Sequence, residues 1–415
     1  MSAVGLVCSH CGARYPVSAQ YVCTQCFGSL EVAYDWDAVR HRLTTEPFPC
    51  HVPNLWRYRA LLPVGGGPLI DLGTGFTPLL RADRLARELD LEELWIKNDT
   101  VNPTYSFKDR VVSVAVTAAQ QMEIPVVACA STGNLAGALA AHAARAGLPA
   151  YVFVPADLEP EKLLGAAVYG PQVVAVRGSY DQVNRLCVQI ADRLGWGFVN
   201  INLRPFYSEG SKTLAFETAE QLGWSLPDHV VVPVAGGSLL SKIGKGFREL
   251  LDLGLVSGTL PRISAAQAAG CAPVAHAWEE GRDQVQPVRP NTIARSLAIG
   301  NPADGALALR TIRESGGAAA AVTDREIVEG IQLLARTEGI FAETAGGVTV
   351  AALRRLVERG QVKRGERIVL YITGNGYKTV TALEGTVQQP PVLEPRFAEF
   401  ERWYGSAPAP IRQAV

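Results

Sequence analysis

Short apolar runs recur along this chain with helix-like stretches between them: LWIKN, VVACAS, AYVFVP, QVVAVRG, GFVNIN, VVVPVAG, RISAAQ and IVLYITG. Runs of that length bounded by polar or glycine-rich segments read as strands, and strands alternating with helices predict an α/β fold of parallel sheets covered by helices. Several runs end directly in the turns ASTGN, PVAGGS and ITGNG. Open α/β sheets bind ligands beyond the C-terminal ends of their strands, so chemistry is expected at these turns.

The remaining pattern divides the chain. Residues 35 to about 75 are rich in Trp, Pro and Gly, with helical pieces between breakers, and read as an irregular wrapping segment. A length of 415 residues suits two compact lobes and an appendage. The expected organisation is a zinc-ribbon-like segment over 1–34, a larger lobe from 35–95 with 205–387, a smaller lobe over 96–204, and a C-terminal extension over 388–415. The proline-bearing QQPPVLEP and SAPAPI make that extension partly extended.

With 48% hydrophobic and 19% charged residues and a formal net charge of −1, the composition is that of an ordinary soluble protein, with no general attraction to nucleic acid or anionic lipid. The apolar stretches are broken well short of the roughly 20 residues a membrane span needs. MSAVGLVC lacks the basic start of a signal peptide, so a cytoplasmic location is expected.

A reducing cytoplasm argues against disulfides among the eight cysteines. Four of them, Cys8, Cys11, Cys23 and Cys26, form two CxxC pairs, with Gly12 and Gly28 following the second cysteine of each. This is ribbon spacing, which lets two turns bring four thiolates around one ion, and zinc suits a tetrahedral sulfur site. Four protein ligands leave no open coordination position, so the zinc would be structural.

Four elements carry candidate chemistry. In NPTYSFKDR, Lys108 stands where a turn gives way to the apolar helix VVSVAVTAA. Partial desolvation and a positive helix end favour a neutral amine, the form that attacks an aldehyde to give an imine. Ala235, Gly236, Gly237, Ser238 and Leu239 follow an apolar run and precede a helix, a place where backbone N–H groups converge on phosphate. Ser131, Thr132, Gly133 and Asn134 offer hydroxyls and a carboxamide, and also suit an N-cap for the alanine-rich helix that follows. Thr373 in TGNG could meet a ring nitrogen, with glycines allowing close approach.

Taken in this order, the elements resemble the fold type II, tryptophan-synthase-β-like family of pyridoxal-phosphate enzymes, and most of all the threonine synthases. NPTYSFKDR is similar to the family's lysine motif, ASTGNLAG to its asparagine loop, PVAGGSLLSKIGKG to its phosphate loop and ITGNGYKT to its threonine-bearing turn. NLRPFYSEGSKTLAFE, RPNTIARSLAIGNPADG and EGIFAETAGGVTVAAL also read as threonine-synthase segments, and the resemblance covers nearly the whole chain.

The resemblance implies that Lys108 bonds pyridoxal 5'-phosphate, next to Phe107, with Asn134 at the ring's phenolic oxygen, Thr373 at the pyridine nitrogen and residues 235–239 on the phosphate. It implies conversion of O-phosphohomoserine and water to L-threonine and phosphate, by γ-elimination of phosphate and β-addition of water, in a homodimer. Ser131, Thr132 and Arg204 are candidates for substrate binding, and Arg110 and Lys212 are further cations in matching segments.

The pattern departs from many threonine synthases at Tyr105, Leu135 and Gly236, next to the cofactor motifs. Two alternatives stay open: a phosphate-cofactor dehydratase or β-replacement enzyme acting on phosphoserine, serine or threonine, and an inactive regulatory homologue.

Overall fold

The computed structural model describes residues 3–45, 48–156, 158, 164–178, 180–386 and 390–406. Strands β1 (Ala3–Cys8), β2 (Arg14–Tyr15) and β3 (Leu30–Tyr34) make a small antiparallel sheet of order β2-β1-β3. The next strands are β4 (Leu79–Arg81), β5 (Glu93–Asn98), β6 (Val127–Ala130), β7 (Ala150–Pro155), β8 (Gln172–Val176) and β9 (Gly197–Phe198). They are followed by β10 (His229–Pro233), β11 (Arg262–Ala268), β12 (Ala319–Val322) and β13 (Arg367–Ile372).

Two larger sheets result. One has order β12-β11-β10-β13-β5-β4, parallel except for the edge strand β4; the other has order β8-β7-β6-β9 and is parallel throughout. Every residue of β10 is buried, as parallel strands covered on both faces require. Burying each of its valines contributes about 1.5 kcal/mol or more. All eight apolar runs form strands, but GFVNIN pairs only at Gly197 and Phe198. There the Asn202 side chain accepts from Phe198 N at 2.7 Å and donates to Trp196 O at 2.9 Å, closing a turn directly after the strand.

The parallel pairings β10–β13 and β13–β5 bring the turns after these three strands to one edge. Those turns carry the glycine-rich loop, Thr373 and the segment leading to Lys108.

The wrapping segment holds a helix, Trp36–Thr45, and a short 3-10 helix, Leu55–Leu61, whose Leu55, Trp56, Tyr58 and Leu61 are buried. Residues through Thr379 form one compact unit and Val380–Val415 a second. The second holds the helix Phe397–Ser406, where FAEFERWYGS contains no proline to prevent it, so the extension is less extended than its composition implies. Most of SAPAPI, from residue 407 onward, lies outside the described residues.

Candidate active site

The helix Lys108–Gln121 starts at the candidate lysine itself, so the side chain leaves the protein core at the positive end of the helix. Lys108 is half-buried, and its Nζ donates to the Tyr207 hydroxyl at 2.9 Å. It also lies 4.6 Å from the ring centre of Phe107. The preceding turn is held by backbone bonds: Phe107 N donates to Thr373 O at 2.9 Å, and Asn375 N to Tyr105 O at 3.0 Å. Tyr105 adopts a left-handed φ of 62° and is exposed, an unusual conformation for a bulky residue.

The same stitching draws in a residue that the sequence reading did not single out. Glu343 N donates to Gly374 O at 2.9 Å, and its carboxylate accepts from Asn134 Nδ2 at 3.0 Å. A Cβ on Gly374 would collide with this carboxylate, so a larger residue here would push the Glu343 side chain aside. Burial pushes the Glu343 carboxyl up, opposed by the Asn134 N–H and the ammonium groups of Lys378 and Lys108. Asn134 itself opens the helix Asn134–Ala146, and no side chain caps that helix. Ser131 therefore does not cap it; its Oγ accepts from Gly133 N at 3.3 Å, and Thr132 is exposed.

In the glycine-rich loop, Ala235, Gly236, Ser238 and Leu239 are partly exposed and Gly237 is buried with φ of 94°. The loop leads into the helix Ser238–Asp252, which has no side-chain cap, so its first N–H groups remain available to an anion. A Cβ at Gly236 would meet open space, whereas one at Gly237 would lie 2.6 Å from Asp304 O. The loop is thus backed on one side and open on the other.

Lys108, Thr373 and Asn134 are joined through Phe107, Gly374 and Glu343, whereas the cationic candidates are engaged elsewhere. Arg204 pairs with Asp304, whose backbone N donates to Gly236 O at 2.9 Å, so Arg204 braces the glycine loop from behind. Arg110 is wholly buried against Asp99 and Glu217, and Lys212 against Glu209 and Glu249. Neither is placed to receive a substrate phosphate. Leu135 is buried in a hydrophobic cluster.

Residues 70–374 match the model of the Pyridoxal-phosphate dependent enzyme family. The chain is 40% identical over 391 residues to a threonine synthase of Methanocaldococcus jannaschii, covering 93% of this chain and 96% of that protein. This chain belongs to the threonine synthase family. A second threonine synthase, from Methanosarcina acetivorans, is 38% identical over 392 residues, covering 94% of this chain and 96% of that one. Among solved structures, maize serine racemase gives a TM-score of 0.62 at 22% identity, over 75% of this chain and 92% of that one, which shows a shared fold.

As a threonine synthase family member, the chain is a pyridoxal-phosphate-dependent lyase, and its residues fit the cofactor on structural grounds. They combine a half-buried primary amine, an uncapped helix end behind a glycine loop, and a carboxamide fixed by a buried carboxylate. The ribbon cysteines also converge: their four Sγ atoms lie within 4.8 Å of one another, with Cys8–Cys26 and Cys11–Cys23 each at 3.5 Å. Tetrahedral zinc–sulfur bonds of about 2.3 Å place sulfurs about 3.8 Å apart, close to this spacing.

Two functional candidates, Tyr207 and Glu343, lay inside threonine-synthase-like segments but had no local signal of their own. A tyrosine three residues into a short helix and a glutamate before an alanine-glycine run are ordinary at sequence level. Contacts across 99 and 209 residues, to Lys108 and Asn134, give them significance.

Proposed function

We propose that the chain converts O-phosphohomoserine and water into L-threonine and phosphate, with Lys108 as the residue that bonds the cofactor. The observation that carries this is the Lys108 amine, held at converging strand ends by a phenol rather than a carboxylate, in a chain so similar to threonine synthases.

Bound at this site, pyridoxal phosphate would draw electrons from the α-carbon of an amino acid joined to its aldehyde carbon. Residues 235–239 would hold its phosphate on backbone N–H groups at the helix end. Asn134 would donate to the phenolic oxygen, its carboxamide already oriented by Glu343. Thr373 would meet the ring nitrogen with a neutral hydroxyl. Once the substrate's amine has taken its place, Lys108 would accept the α-proton and return protons to the carbon skeleton. Ser131 and Thr132, at the exposed mouth of the asparagine loop, would contact substrate. Arg204 would contribute by holding the loop through Asp304.

Cys8, Cys11, Cys23 and Cys26 would hold a structural zinc, closed to substrate by four thiolates. Metal analysis of carefully reduced protein should find about one equivalent per chain, and a small fraction of that would remove this part of the proposal. We further infer a homodimer in the cytoplasm, the first readable by light scattering.

The test is to offer cofactor-loaded protein O-phosphohomoserine and, in parallel, phosphoserine, homoserine, serine and threonine, following phosphate release and amino-acid products. Threonine and phosphate should appear together from O-phosphohomoserine alone. Reaction with phosphoserine or an unphosphorylated amino acid instead would replace the assignment with a dehydratase or β-replacement activity. No reaction, with no visible cofactor band, would favour the inactive homologue.

A further inference from the structure

The helix Arg204–Glu209 directs three side chains to three different places. Arg204 pairs with Asp304 behind the glycine loop, and Tyr207 meets Lys108. Glu209, fully buried, meets Tyr34 Oη at 2.6 Å, Lys212 and Lys242 Nζ at 2.6 Å, and Lys245 Nζ at 2.8 Å. Burial works to raise the Glu209 carboxyl, but the three ammonium groups overcome it and hold it well below the usual carboxylate range. Both ends of the helix are therefore anchored by charge, and Tyr207 between them is fixed.

Tyr207 is 9% exposed, and its ring belongs to the apolar cluster that includes Ala136 and Leu139. A buried phenol needs a hydrogen-bond partner, and this one has the nitrogen on which the proposed chemistry turns. Phenols and alkylamines hold protons with similar strength in water, so a proton passes between them at small cost.

We infer that Tyr207 is a catalytic residue, whose hydroxyl holds Lys108 Nζ and exchanges protons with it whenever that nitrogen is not bonded to the cofactor. This rests on the reading of Lys108 as the cofactor lysine. When the substrate's α-carbon–hydrogen bond breaks, the electron pair stays with the substrate and the proton goes to the Lys108 lone pair. The resulting ammonium donates to the Tyr207 oxygen, which keeps it beside the substrate while a proton is returned to the carbon skeleton. No proton is gained or lost by the pair over a full cycle, and no other reactant is needed.

Tyr207→Phe in the holoenzyme removes one oxygen and leaves the ring in its apolar surroundings. The cofactor band and its borohydride attachment to Lys108 should persist. Turnover of O-phosphohomoserine should fall about 10²-fold in kcat with KM within a few-fold. The pH profile of kcat should differ in shape from the parent's. Deuterium at the α-carbon should slow the variant more than the parent, because proton transfer has become limiting.

A variant with unchanged kcat, pH profile and isotope effect would overturn the inference. So would one that merely melts at a lower temperature while keeping the parent pH profile, since that is structural support only. Absence of borohydride attachment at Lys108 in the parent protein would instead overturn the underlying reading of the site.

Discussion

Lys108 and Lys212 each form the first residue of a helix, Lys108–Gln121 and Lys212–Gln221, yet their surroundings are opposite. Lys212 is fully buried and donates to both carboxylate oxygens of Glu249, at 3.0 and 2.8 Å, and to Leu61 O at 3.0 Å, while pairing with Glu209. Lys108 is half-buried, and its hydrogen-bond partner is a phenol. Position at a helix start therefore does not make a lysine reactive. Carboxylates surround the Lys212 amine and tie it into the fold, whereas Lys108 meets only a phenol and stays partly open.

Removing each amine in turn separates the two roles. Lys108→Ala should lose covalent cofactor attachment and lower turnover by at least about 10³-fold, while the unfolding midpoint stays close to the parent's. Lys212→Met should do the reverse. It leaves Glu209 and Glu249 buried with one cation fewer, and unfolding free energy from denaturant titration should drop by roughly 3 kcal/mol. Cofactor attachment per folded molecule should survive. A Lys212→Met protein of parent stability that no longer binds cofactor would contradict the contrast.

Acid should expose the structural charges next. Burial works against ionised Glu217, but Arg110 and Lys97 bring its folded-state pKa to about 2, against an ordinary 4.5. A carboxyl depressed by folding adds stability that is fully present above pH 4.5 and is lost as pH falls from there toward 2. Thermal midpoints measured across that window should decline, and Glu217→Gln should flatten this part of the decline while lowering stability at neutral pH. An equally steep decline in the variant would place the acid sensitivity elsewhere.

The smallest expected effect is at Arg204. Its side chain and that of Asp304 are partly exposed, so the pair contributes about 1 kcal/mol or less to stability. Arg204→Met should loosen the bracing of Gly236 and weaken cofactor affinity a few-fold, read by equilibrium dialysis. Unchanged affinity together with a raised KM for O-phosphohomoserine would return Arg204 to the role of a substrate contact.

Much of the fold was legible because parallel strands announce themselves: the runs VVVPV and IVLYI are buried on both faces and have no polar alternation to confuse them. Lys108, Asn134, Gly237 and Thr373 were legible as turn residues after such runs. What stayed hidden was side-chain direction. Nothing local distinguishes Arg204, which braces Asp304, from an arginine facing phosphate, nor marks Arg110 as the centre of a buried network with Asp99 and Glu217. The asparagine loop looked like an N-cap because Ser, Thr and Asn all cap well, but its helix begins at Asn134 with the carboxamide turned to Glu343.

If surroundings, rather than helix position, select the reactive lysine, the cofactor attaches to Lys108 and to no other lysine at a helix start or in a buried network. Borohydride reduction of the cofactor-loaded protein, followed by peptide mass mapping, tests it most directly. The reduced cofactor should be found on Lys108, with Lys97, Lys212, Lys242 and Lys245 unmodified. Attachment at any of these four, or none at Lys108, would contradict it.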